Sequence, residues 1–119
     1  MKRFNFVKYQ GDYLRGDSKI SIQLSGLIRL SSGFCRASNA LSYKCVFLYY
    51  DSGSNAMGLE FSNSLEKGAL KVTQDRNAGS ISAKSFFKNY SLNLKNIVGR
   101  YGWEKNLIRS MSELYVIEL

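Results

Sequence analysis

The sequence predicts an α+β fold in which an antiparallel β-sheet of about four strands is followed by an α-helix, with extra strands towards the C-terminus. Three observations predict it. Several short runs alternate apolar and polar side chains with period two, the signature of a half-buried strand. Clusters of Gly, Asn, Asp and Ser separate them, in a chain that contains no proline. One stretch breaks the rhythm: Ala83, Phe86, Phe87 and Tyr90 recur at the spacing of one helical face.

The elements follow in order. Residues 1–18 interleave Phe4, Phe6, Tyr9 and Tyr13 with Lys2, Arg3, Lys8 and Arg15, and read as an N-terminal basic and aromatic arm. Residues 19–31 alternate. Ile20, Ile22, Leu24, Ile28 and Leu30 form the apolar face, Lys19, Ser21, Gln23 and Arg29 the polar one, with Gly26 marking a bulge or turn. Phe34, Ala37 and Leu41 recur at helical spacing behind a Ser cap, which predicts a short helix over 32–41. Strands over 44–50 and 56–63 flank the turn cluster 51–55 and form a β-hairpin. Residues 68–74 give the next strand, with Lys71 and Thr73 outward. Residues 80–82 give a brief one, leading into a helix with Ser82 as its N-cap. Residues 97–103 and 113–119 return to β character. Phe47, Phe61 and the stripe Phe86, Phe87, Tyr90 are expected to pack rather than to face solvent.

The 119 residues fit one domain, here divided into the arm (1–18), a sheet-and-helix core (19–92) and a C-terminal β extension (93–119). No window approaches the apolar length of a membrane span, and residues 4–20 lack the apolar run of a secretory signal. A soluble, cytoplasmic protein without a membrane partner is expected.

Enzyme chemistry finds little support. There is no His, so the commonest general base and every His-dependent triad are missing. Cys35 and Cys45 are the only cysteines, too few for a structural zinc, and sit among apolar residues, so they are expected buried and reduced. The nine carboxylates are dispersed, and no phosphate-binding Gly-rich loop occurs. Gly99-Arg-Tyr-Gly102 has the G-x-x-G spacing of a K-homology loop, but that loop joins two helices and this segment lies in a β context. No catalytic residue, metal, cofactor or small-molecule substrate is therefore expected.

The charge points elsewhere. Seventeen Lys and Arg against nine Asp and Glu give +8 at pH 7. Residues 1–50 hold eight of the basic residues and only Asp12 and Asp17. Such a balance attracts polyanions. Binding a single strand needs cations that follow the phosphates and rings on which bases stack. Lys19, Arg29, Lys44 and Lys71 project from the polar sides of three strands, Arg76 ends a strand, and Tyr50 shares the parity of Lys44. These six are the expected nucleic-acid contacts.

The order of four strands and a helix over 19–92 resembles the positive-cofactor-four family of single-stranded DNA-binding proteins, in its phage and bacterial form. The resemblance rests on Gly79-Ser-Ile-Ser-Ala-Lys-Ser-Phe-Phe-Lys-Asn-Tyr90, which looks like that family's last strand running into its helix. The hairpin around Val46-Phe-Leu-Tyr-Tyr-Asp51 and Met57-Gly-Leu-Glu-Phe61 is similar to its central strands. The resemblance implies a strongly curved sheet, a homodimer packed helix to helix, and sequence-independent binding of single-stranded DNA, melted duplex or RNA. The expected process is replication, recombination or transcription. The strands of 93–119 would extend the dimer interface. Two other readings fit a small basic β-rich protein: a regulator that binds double-stranded DNA, and a non-enzymatic protein-interaction module.

Overall fold

The computed structural model describes residues 18–107 and 113–119. The expected arm, apart from Ser18, lies outside the described residues.

Strands β1 (Ile20–Ile22) and β2 (Leu27–Leu30) form a hairpin rather than one long strand. Its turn closes when Gln23 N–H donates to the Leu27 carbonyl and Gly26 N–H to that of Gln23. Gly26 has φ +87°, and a Cβ there would lie 2.8 Å from the Lys84 backbone. A glycine is needed on both counts.

Helix α1 (Ser32–Ser38) begins where expected. Ser31 Oγ accepts from Phe34 N–H, and the helix ends on Asn39 in the left-handed conformation. A 3-10 turn, Ala40–Ser42, follows. Strands β3 (Cys45–Asp51) and β4 (Ala56–Ser62) then pair antiparallel along their whole length. Asp51 closes their turn by accepting from Gly53 N–H and the Ser54 hydroxyl, which lowers its carboxyl pKa.

Strands β5 (Leu70–Lys71) and β6 (Thr73–Asp75) are separated by Val72, and β7 (Ala78–Ser82) follows. Helix α2 (Lys84–Asn89) starts from Ala83 without a side-chain cap; Ser82 is still strand, paired with Leu27. The short α3 (Leu94–Ile97) is capped by Asn93, then β8 (Gly99–Tyr101), β9 (Glu104–Leu107) and β10 (Glu113–Glu118) complete the chain. None of the described helices is long and apolar enough to cross a membrane.

The fold is α+β, with two antiparallel five-stranded sheets in place of the expected sheet of about four. The first runs β6-β7-β2-β1-β8, the second β5-β3-β4-β10-β9. Helix α1 explains the division. It carries the chain from β2 to β3, so the two hairpins fall in different sheets. The end strands connect the sheets. The chain passes from β5 to β6 at Val72, and from β8 to β9 at Gly102 and Trp103. Strands that switch sheets at such corners are a known way of joining two packed layers.

The inner faces meet in one core. Ile20, Ile22, Ile28, Leu30 and Ile81 come from the first sheet, and Val46, Met57, Leu59, Tyr115 and Ile117 from the second. Phe34 of α1 is fully buried, with its ring 5.1 Å from Trp103, 5.3 Å from Tyr115 and 6.0 Å from Phe61. Phe87 of α2 is also buried. Tyr90 of the same stripe is exposed, its ring 5.3 Å from Tyr50.

Residues 93–119 are therefore no extension. Strand β8 pairs with β1, and β10 lies between β4 and β9 with Tyr115 and Ile117 in the core. They supply an edge strand of the first sheet and the last two strands of the second.

Candidate nucleic-acid interface

Period two places every second residue of a sheet outside. In the first sheet the strand registers line these residues up. Arg100 lies opposite Ser21, Ser21 opposite Arg29, Arg29 opposite Ser80, and Ser80 opposite Thr73. One row thus crosses all five strands, with two guanidinium groups, three hydroxyls and no carboxylate. At the usual spacing of about 4.8 Å between strands, the two arginines stand about 10 Å apart across Ser21. Arginine is suited to this position because its planar fork donates two hydrogen bonds to one phosphate. The serine and threonine hydroxyls can donate to phosphate oxygens beside it.

Lys19 belongs to the same outer face, two residues before Ser21. Its backbone N–H donates to Ser31 Oγ at 2.8 Å, which fixes the start of β1 against the end of β2. Its ammonium lies beside Gly102, 3.8 Å from where a Cβ would project. Asp75, on β6, is the acidic residue of this face among the described strands.

The expected contacts separate. Lys19 and Arg29 share the first sheet's outer face. Arg76 stands at its margin, exposed in the turn between β6 and β7 with φ 57°, its carbonyl accepting from the Gln74 side chain. Lys44 and Lys71 are exposed on the second sheet, Lys44 just before β3 and Lys71 opposite Cys45. Lys71 shares the outward parity of Thr73, two residues along, so it flanks the row at the corner between sheets. Tyr50 does not join the row. It follows Val46 and Leu48 on the core side of β3, is half-buried, and donates to Asn55 Oδ1 at 2.8 Å.

Arg100 was not among the expected contacts. Its only sequence signal was a basic residue between the glycines of Gly99-Arg-Tyr-Gly102. Nothing in that segment indicates that β8 pairs with β1, which requires knowing the topology.

The rings lie elsewhere. Tyr49 is 44% exposed but stands on the outer face of the second sheet, donating to Glu60 Oε1 at 2.6 Å. That bond, with some burial, pushes its phenol up to about 12. Phe47, expected in the core, shares this outer face and is half-buried. Phe61, also expected there, does pack against the core from a half-buried position. Both cysteines are buried and free, and burial pushes the Cys35 thiol up to about 11. Compared with protein-family models, curated proteins and solved structures, the chain matches none.

Proposed function

We infer that this protein binds single-stranded nucleic acid without sequence preference, along the outer face of its first sheet. The observation that carries this reading is the register-aligned row Arg100, Ser21, Arg29, Ser80 and Thr73. Lys19 stands beside it, and Lys71 and Arg76 stand at its margin. The phosphates are the main ligand, since no exposed ring shares this face among the described residues. Phosphate contacts orient a strand but carry no sequence information. The protein thus acts as a non-enzymatic strand-coating or strand-holding factor in replication, recombination or transcription. The likeness of residues 79–90 to the positive-cofactor-four family supports the same reading, and with it a cytoplasmic homodimer of the phage or bacterial type.

An oligo-dT titration over a salt series tests this. With three or four phosphates neutralised, log affinity should fall against log salt with a slope of about −2 to −3. The Lys19→Glu/Arg29→Glu variant should bind at least about tenfold more weakly at low salt, and Lys44→Glu should lose less. Equal binding to single strand and duplex across the series would overturn the reading in favour of a duplex-binding regulator. Unchanged binding by the double variant would remove the first sheet from the interface.

A further inference from the structure

Strands β4 and β10 part at one end, and a cavity of about 410 Å³ opens there. The two strands pair from Ala56 and Glu118 as far as Leu59 and Tyr115. Past that point the pairing stops, although β4 runs on to Ser62 and β10 begins at Glu113. Residues of both faces therefore reach the gap. Phe61 and Tyr115 come from the core side and Glu60 from the outer side. Tyr43, which follows the 3-10 turn, completes the wall.

Three rings and two carboxylates define its chemistry. The Tyr43 and Phe61 centroids lie 6.3 Å apart with their planes at 32°, and Tyr115 lies 5.9 Å from Phe61 at 61°. The rings thus form adjacent walls rather than one stack. Tyr43 is 37% exposed, so its ring is open to a ligand. Glu60 and Glu113 add two negative charges, and no Lys or Arg is among the described lining residues. Lys105 meets Glu113 Oε1 at 3.4 Å from β9, but their side chains are 48% and 49% exposed, so the pair is weak.

Rings with a negative charge beside them suit a cation. How the carboxylates are held says which kind. Glu60 Oε1 accepts from Tyr49 at 2.6 Å, Glu113 Oε2 accepts from Tyr115 at 3.0 Å, and Glu113 Oε1 faces Lys105. The two phenols stay protonated in neutral solution, since each is pushed up to about 12. The carboxylates thus keep their charge but have few acceptor positions left for a ligand's N–H groups. A primary ammonium entering here would give up water for few hydrogen bonds. A quaternary ammonium has no N–H to satisfy, and it spreads its charge over methyl groups that pack on ring faces.

We propose that this cavity binds the quaternary ammonium head of a small organic cation, with Tyr43, Phe61 and Tyr115 as the cage and Glu60 and Glu113 as the counter-charge. The proposal does not rest on the single-strand reading, because none of these residues belongs to the row on the first sheet.

Calorimetric titration of the full chain with choline chloride tests this. The comparison ligands are choline's neutral analogue, in which carbon replaces the nitrogen, and ethanolamine, its primary amine. Choline should bind about tenfold more tightly than either. Tyr43→Ala removes an exposed wall without emptying the core, and should weaken choline by about fivefold. Glu60→Gln/Glu113→Gln should weaken it by about tenfold. The control Glu66→Gln/Asp75→Asn, with the same charge change away from the cavity, should bind choline as wild type does. Competition separates two sources of the same head group: loss of choline binding in the presence of phosphatidylcholine vesicles supports a lipid, and undiminished binding supports a free solute. Choline bound no more tightly than its neutral analogue or ethanolamine, or choline affinity unchanged in Tyr43→Ala or in the double glutamine variant, would overturn the proposal.

Discussion

The two sheets contribute alike to the core and differ on their outer faces. Each has five antiparallel strands, and each sends its buried residues inward with period two. Outside, the first carries Arg29 and Arg100 among Ser21, Ser80 and Thr73. The second carries Phe47, Tyr49, Leu114 and Val116 with Glu60, Glu104 and Glu118 among them. The faces thus differ in charge, although Lys71 is exposed on the second sheet and Arg100 lines a concavity at the β8–β9 corner with Glu104 and Glu118. The exposed ring of Tyr49 also stands apart from the row of cations. A composition rich in both does not bring them to one surface.

The largest expected effect tests whether the sheets, so different outside, are one unit inside. Phe34 is in contact with rings from the second sheet and sits on the helix that follows the first. Phe34→Ala should lower stability by about 3–5 kcal/mol, the usual cost of emptying a buried aromatic site. Both sheets should melt together in denaturant, so Trp103 fluorescence and far-UV circular dichroism should give one midpoint. Two separate transitions would mean that the sheets fold independently. Arg29→Ser, on the outer face, should shift the midpoint by less than about 0.5 kcal/mol.

Two glycines sharpen the comparison at smaller scale. A Cβ at either Gly26 or Gly58 would lie 2.8 Å from its nearest neighbour. At Gly26 that neighbour is the Lys84 backbone, and φ is +87°. Neither can give way, so Gly26→Ala should cost about 2–3 kcal/mol through overpacking and strain. At Gly58 the neighbour is the Leu114 side chain, which can rotate outward. Gly58→Ala should cost about 1 kcal/mol, and Leu114→Ala should relieve most of it. A double-mutant cycle on urea midpoints checks this. A coupling near zero would show that the two residues do not share that space.

Local structure was legible in the sequence because local physics decides it. Ser31 caps α1, the 51–55 turn joins β3 to β4, and Ala83, Phe86 and Phe87 turn one helical face inward. The division into two sheets was not legible. Periodicity reveals that Ile28 and Ile81 share an apolar face but not which strands carry it side by side. That depends on Phe34 filling the space between layers. The same gap explains the site. Lys19 and Arg29 were found because they lie on one hairpin with visible alternation. Arg100 reaches them only through the pairing of β8 with β1. Tyr50 was misplaced because parity alone does not say which parity faces the core. The core cluster answers that question for β3: it takes Val46 and Leu48, with Leu59 and Met57 opposite Leu48 and Tyr50, so Tyr50 falls on the core side.

The smallest effect belongs to the second sheet's phenols. Tyr49 donates to Glu60, and Tyr115 donates to Glu113 Oε2 at 3.0 Å. Ionising either would put a phenolate against a carboxylate. For Tyr49 that bond is the main cause of a pKa raised from 10.0 to about 12; for Tyr115 burial leads and the Glu113 bond follows. A raised folded-state pKa means that the contribution is complete below pH 10 and is lost as pH rises through 12. Stability should therefore fall over that window, and absorbance titration should show late phenolate steps from Tyr49 and Tyr115, with Tyr101, raised by burial, also late. Tyr49→Phe should remove one of them. At neutral pH the variant should be nearly as stable as wild type, because Tyr49 is 44% exposed and solvent screens its pair. A Tyr49 step near pH 10 would mean that Glu60 does not hold the hydroxyl.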